Sequence, residues 1–118
     1  MVTRGSVVLV VASGDYGKVR PAVVVQTARQ IQAATSYTVC LMTSELVEHS
    51  PLRITIEPAA DNRLKRTSQV QIDKVQTFPK NKVRPPIGSL TADQMAEVDL
   101  ALAVHLNLFA LSSSGAQT

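Results

Sequence analysis

Hydrophobic positions in this chain fall into unbroken runs, alternating runs and one helical stripe, and each pattern predicts a different element. Ser6 to Ala12 (Ser-Val-Val-Leu-Val-Val-Ala) and Ala22 to Val25 have no alternation, which predicts strands covered on both faces. Ser13-Gly14-Asp15-Tyr16-Gly17-Lys18 supplies turn residues between them, so the two strands are expected to pair. Ala28 to Ala33 suits a short helix or turn, and Tyr37 to Met42 resumes strand character up to Thr43-Ser44. Leu52 to Glu57 alternates, with Leu52, Ile54 and Ile56 opposed to Arg53, Thr55 and Glu57, as in a strand with one wet face. Pro58-Ala59-Ala60-Asp61-Asn62 breaks that strand, the basic Arg63-Leu64-Lys65-Arg66 follows, and a short strand is expected over Ser68 to Ile72.

Pro79 to Pro86, with Lys80, Lys82 and Arg84, reads as a solvated loop. Thr91 with Gln94 three residues on forms a capping-box signature, and Asp93 complements the helix dipole. Met95, Val98, Leu102, His105 or Leu106, and Phe109 then recur at helical spacing, a stripe expected to close the core. A Ser- and Gly-containing tail from Ser112 to Thr118 is expected to be disordered. Short strands, turn-rich joins and one terminal helix predict a single domain over residues 1–111. Its fold class is mostly β, a small antiparallel barrel whose closure removes exposed edges, with the helix plugging or flanking it.

Composition narrows what such a barrel can do. At 118 residues the domain is too small to enclose a deep cavity beside its core, so an active site is expected to be shallow or shared with a second copy. Hydrophobic residues make up 45% but aromatics only 3%, with no Trp, which disfavours base stacking as the main binding device. Twelve Lys and Arg against nine Asp and Glu give a net charge of +3, suited to a polyanionic partner. Cys40 is the single cysteine and is expected to pack as a small apolar residue. With no signal-type leader and no apolar stretch of about 18 residues, the sequence points to the cytoplasm and away from membranes.

Several chemistries fall away on spacing. His49 and His105 are far apart and no Cys, His, Asp or Glu cluster has ligand spacing, so neither a metal nor another cofactor is implied. Neither a phosphate-cradling glycine loop nor a serine elbow is present. What stands out is Gly17-Lys18-Val19-Arg20-Pro21-Ala22-Val23-Val24-Val25. Pro21 fixes its own φ and drives Arg20 into an extended conformation, so a planar cationic fork is offered from a strand mouth. Such a group reads phosphate or pairs with a neighbouring carboxylate at the surface; the segment alone leaves both open. Further polar groups at strand ends are Thr43, Ser44 and Asp73, with Asp15, Lys18, Lys74 and the Arg63, Lys65 and Arg66 cluster as surroundings.

The series Thr3-Arg4-Gly5, Arg20-Pro21-Ala22-Val23-Val24-Val25, Met42-Thr43-Ser44 and Ile72-Asp73-Lys74-Val75-Gln76-Thr77, followed by the terminal helix, resembles the MazF/PemK/Kid toxins, the ribonuclease halves of bacterial toxin–antitoxin pairs. The resemblance spans roughly Val2 to Leu111. It implies an SH3-like barrel of the MazF/CcdB type with one or two short helical segments beside the C-terminal helix, a homodimer, and metal-independent, sequence-specific cleavage of single-stranded RNA. Under it Arg20 matches the catalytic arginine and Thr43 the threonine ending a later strand. Asp15 stands where many members carry an acid before that arginine, and Asp73 matches an acid that Kid-type members use as a base. The chain departs from the pattern at Gln71, where Kid-type members have a second catalytic arginine, and at Lys74, which replaces a common glutamine. A salt bridge orienting Arg20 is the competing role for each acid. Lys18, Ser44, Gln71, Lys74, Arg63, Lys65 and Arg66 make up the expected RNA-binding surface, although charge runs such as Arg63 to Arg66 and Lys80 to Arg84 also suit plain solvated surface. The resemblance further implies a cognate antitoxin whose acidic, flexible tail covers the basic groove. The rival readings are a gyrase-binding toxin of the CcdB kind, disfavoured by the absence of Trp, and a non-catalytic RNA- or protein-binding barrel.

Overall fold

The two unbroken valine runs form neighbouring central strands of one sheet. The computed structural model describes residues 1–11 and 18–109, so Asp15, the turn around it and the expected tail lie outside the described residues. In chain order the elements are β1 (Ser6–Val11), β2 (Val19–Val24), α1 (Ala28–Ile31), β3 (Ser36–Thr43), β4 (Arg53–Ile56), β5 (Ser68–Pro79), a 3-10 turn (Lys80–Lys82), β6 (Gly88–Ser89) and α2 (Ala92–His105). The sheet runs β4-β5-β3-β2-β1-β6, and each of these pairings is antiparallel.

Side chains alternate across a strand, so an unbroken apolar run feeds two cores at once. One face carries Val7, Val23, Cys40, Met42, Ile56, Val70 and Ile72, covered by Leu90 and by Met95 and Val98 of α2. The other carries Val8, Val10, Ala22, Val24 and Val39, covered by Ile31 of α1 and by Phe78. With each such burial stabilising by roughly 1.5–3 kcal/mol, aliphatic residues hold this domain without a tryptophan. Cys40 is fully buried, and burial pushes its thiol up to about 11.

β5 is much longer than the expected strand over Ser68 to Ile72, because it bends and continues. Cys40 on β3 faces Val75, yet Met42 faces Val70, so Gln71, Ile72, Asp73 and Lys74 together oppose the one residue Leu41. Past this bulge, Val75, Gln76 and Thr77 are exposed. Backbone pairing with Ser36 to Cys40 holds them, and pairing of that kind leaves no apolar pattern to read in the sequence.

The barrel is a curled half-barrel: among the described residues β4 and β6 do not pair. A loop bridges the gap, where the Ser89 N–H donates to the Asp61 carbonyl at 2.8 Å. Gly88 is needed there, because a Cβ would stand 2.5 Å from that carbonyl oxygen and 2.7 Å from the Asn62 backbone. Asn62, 1% exposed, shapes the loop: its Oδ1 accepts from the N–H groups of Ala59 and Leu64, both at 3.0 Å, and its Nδ2 donates to the Glu57 carbonyl at 2.9 Å.

The capping box of α2 forms as expected, with Gln94 N–H on Thr91 Oγ1 at 3.1 Å and Thr91 N–H on Gln94 Oε1 at 2.9 Å. Its far end differs. Asn107 takes φ 58°, and the N–H groups of Asn107 and Leu108 turn back to the carbonyls of Val104 and Ala103, a Schellman stop with asparagine in the left-handed position. The core stripe therefore ends at the partly buried Leu102, His105 is exposed, and Phe109 lies beyond the helix, 48% exposed. Thr3-Arg4-Gly5 anchors this helix to the sheet: Arg4 makes a bidentate ion pair with Asp99, and Gly5, at φ 91° and with room for only a small residue beside Met95, exchanges backbone hydrogen bonds with Val24 and Leu90. Among the described residues no helix is long and apolar enough to cross a membrane.

Replacing Asn62 by Ala removes three hydrogen bonds and is expected to cost about 2–4 kcal/mol in urea denaturation. A second expectation concerns pH. The unfolded Cys40 thiol ionises near 9.0 and the folded one near 11, so the folded state keeps a proton that the unfolded state loses, and stability falls as pH rises through that window. By pH 10.5 this loss should reach about 2 kcal/mol relative to pH 8, and it should be absent from Cys40→Ala when denaturation curves of the two proteins are compared at both pH values.

Candidate active site

The site begins with a hydrogen bond that Pro21 cannot make. In the β2–β3 pair the Val25 N–H donates to the Thr38 carbonyl at 3.1 Å, and antiparallel bonding recurs at every second residue, which brings Val23 and then Pro21 to the β3 side. Proline has no N–H. The ladder stops at Ala22 opposite Leu41, and the same register carried two residues on sets Arg20 opposite Thr43. Alternation puts both on one face of the sheet, while β1 holds β2 in place from its other side, with Val10 opposite Arg20.

These strand ends open onto a cleft of about 1040 Å³. Lys18 and Arg20 line it from β2, Thr43, Ser44 and Glu45 from the end of β3, and Arg63, Lys65 and Arg66 from the segment leading to β5, with apolar lining from Leu9, Pro21, Met42 and Ile87. Seven of the expected site residues thus meet in one place. The basic wall is preset by the Asn62 loop, with Arg63 held at φ 59° directly after it.

Thr43 Oγ1 accepts the Glu45 N–H at 3.1 Å, which occupies one lone pair and leaves the hydroxyl proton to donate. The turn beyond is clamped by two residues that sequence reasoning passed over. Gln69, 5% exposed and opposite Thr43 on β5, accepts at Oε1 from Val47 N–H (3.0 Å) and Arg53 Nη1 (2.9 Å), and donates from Nε2 to the Val47 carbonyl (3.0 Å) and Thr55 Oγ1 (3.1 Å). Arg53 Nη1 also donates to the Glu45 carbonyl at 3.0 Å. The sequence signal was there: a glutamine set among the apolar residues of a strand must find partners if buried.

Other expected residues lie elsewhere. Gln71 pairs with Arg53 across β4 and β5, and Asp73 and Lys74 sit exposed in the β5 bulge; none of the three lines the cleft. All three belong to the β5 bulge opposite Leu41 of β3. Asp15 lies outside the described residues. Of the two basic stretches, only Arg63 to Arg66 reaches the cleft; Lys80 instead stands 5.4 Å over the Tyr37 ring, and Lys82 and Arg84 are exposed. His49 is exposed. Among the described residues no three His, Cys, Asp or Glu side chains are grouped so as to hold a metal ion. A shallow, cationic cleft with hydroxyl donors suits a phosphodiester chain.

Comparison with known proteins agrees with this geometry. Residues 3–106 match the family described as PemK-like, MazF-like toxin of type II toxin-antitoxin system. A probable endoribonuclease MazF of Mycolicibacterium smegmatis is 36% identical over 106 residues, covering 89% of this chain and 96% of that protein. Among solved structures, an endoribonuclease in complex with its cognate antitoxin from Mycobacterial species superposes with TM-score 0.77 at 21% identity, over 92% of this chain and 97% of that one. The Mycobacterium tuberculosis toxin MazF-mt6 does so with TM-score 0.74 at 22% identity, over 86% and 96%. The motif series, the curled antiparallel sheet with its C-terminal helix and the match over nearly the whole length lead to one conclusion: this chain belongs to the PemK-like, MazF-like toxins of type II toxin–antitoxin systems.

Proposed function

We propose that this toxin is an endoribonuclease that cuts single-stranded RNA at specific sequences without a metal, using Arg20 and Thr43. The observation that carries the reading is their placement: two strand ends whose ladder stops one step short of them, both lining a cleft with four further cations. RNA brings its own nucleophile, the 2′-hydroxyl beside the scissile phosphate. As it attacks in line, the 2′-oxygen–phosphorus bond forms, the bond to the 5′-oxygen breaks, and the products are a 2′,3′-cyclic phosphate and a 5′-hydroxyl. The enzyme has to align the chain, move a proton from the 2′-hydroxyl to an acceptor and another to the leaving 5′-oxygen, and stabilise the charge gathering on phosphorus.

Arg20 can hold two phosphate oxygens at once, and its contacts strengthen as charge builds. Thr43 donates its free hydroxyl proton to the same group. Lys18, Arg63, Lys65 and Arg66 track neighbouring phosphates, and Ser44 adds a donor. Asp73, exposed and outside the cleft lining, has no part in this assignment, nor do Gln71 and Lys74; an arginine does not give up its proton near neutral pH, so Asp15, five residues before Arg20 in sequence, is the remaining candidate for proton acceptor. The same cationic cleft offers a seat for the acidic, flexible tail of a cognate antitoxin, which would order as it binds and exclude RNA. The work belongs in the cytoplasm, where the RNA is. A second copy completes the proposal: Leu100, Val104, Leu106 and Leu108, each at least 51% exposed, form an apolar strip at the end of α2 that a homodimer covers.

Arg20→Ala and Thr43→Ala should fold as the parent does and cut RNA about 100-fold more slowly or worse, assayed with EDTA present. Cyclic phosphate ends on the fragments are expected; full activity in either variant removes that residue from the mechanism, and trapping of DNA gyrase without RNA cleavage overturns the proposal. Light scattering at micromolar concentration should give twice the chain mass, and a mass of one chain contradicts the dimer.

A further inference from the structure

One charged group in the cleft has the opposite sign from the rest. Among the described residues that line it, Glu45 is the only acid beside Lys18, Arg20, Arg63, Lys65 and Arg66. Its main chain is pinned at both ends, the N–H on Thr43 Oγ1 and the carbonyl under Arg53 Nη1, and Gln69 grips both backbone groups of Val47 two residues on. The side chain is exposed, and its carboxylate makes no hydrogen bond or ion pair with any described residue. A fixed backbone carrying an uncommitted carboxylate is a preorganised acceptor.

That acceptor repels phosphate, so on RNA it must meet a group rich in donors. Single-stranded RNA exposes the Watson–Crick edges of its bases. Guanine alone presents two adjacent donors there, N1–H and the 2-amino group, which match the two oxygens of a carboxylate; adenine and cytosine offer one exocyclic amine and uracil one N–H. Apolar lining of the same cleft, from Leu9, Pro21, Met42, Leu64 and Ile87, gives such a base a surface to lie on. We propose that Glu45 reads a guanine next to the scissile phosphate and thereby sets the sequence that this toxin cuts. The inference rests on the RNA-cleaving reading above.

The test compares cleavage of RNAs with randomised flanks by the parent, Glu45→Gln and Glu45→Ala. The parent should prefer guanine at one position within two nucleotides of the cut, by about tenfold or more over each other base. In both variants that ratio should collapse towards one. Replacing the guanine by inosine, which lacks the 2-amino group, should slow the parent and leave the rate of Glu45→Ala unaffected by the exchange. An unchanged base preference in the variants overturns the inference. So does an equal slowing on every sequence with loss of the acidic limb of the pH–rate profile, which identifies Glu45 as a proton acceptor. A parent protein that cuts no RNA defeats the underlying reading and this inference with it, an outcome distinct from a parent that cuts with no dependence on Glu45.

Discussion

An absent N–H group at Pro21 decides where this sheet stops being a sheet. β2 is held from one side by β1 along its whole length, and from the other by β3 only as far as Ala22. Had residue 21 been able to donate, the ladder would run on and bury the main chain of Arg20 and Thr43 in regular pairing. The ring that removes the donor also fixes φ at Pro21 and holds Arg20 extended. One residue thus both ends the ladder and presents the cation.

That placement is only as good as the register behind it. Neighbouring residues of β1 and β2 point into different cores, so a slip by one position would drive each valine into the wrong layer and turn Arg20 to the other face. Val7, Val8, Val23, Val24 and Val39 have no exposed surface, which leaves no slack for such a slip. The other wall of the cleft is set by polar bonds: Asn62 shapes the turn before Arg63, while Gln69 and Arg53 hold the turn after Thr43. Hydrophobic packing fixes one wall, and buried polar side chains fix the other.

Much of this was legible in the order of residues. Unbroken valine runs announce two-sided burial, Thr91 and Gln94 announce a helix start, and Arg20-Pro21 announces an extended cation. Residues Asp73 to Thr77 were harder, because a strand held by its backbone ladder with its side chains in water carries no apolar period, and the bulge that holds Asp73 depends on pairing with β3. The stripe through Phe109 misled for a local reason: Asn107 stops the helix whatever the spacing of the leucines around it. Glu45, Arg53 and Gln69 stand apart in sequence, and their joint role exists only once β3, β4 and β5 lie side by side.

The backbone bond from Ser89 to Asp61 ties β6 to the loop that follows β4. That seam has one backbone hydrogen bond and a close backbone contact at Gly88, and Leu64 and Ile87 on its two sides pack against the same core as Ile56 and Leu90. The loop on the far side of that seam leads straight into Arg63, Lys65 and Arg66. The cations that gather a polyanion are therefore placed by a joint that tolerates no side chain at position 88, since any Cβ there would push the loop carrying Asp61 and Asn62, and with it the basic wall, outward.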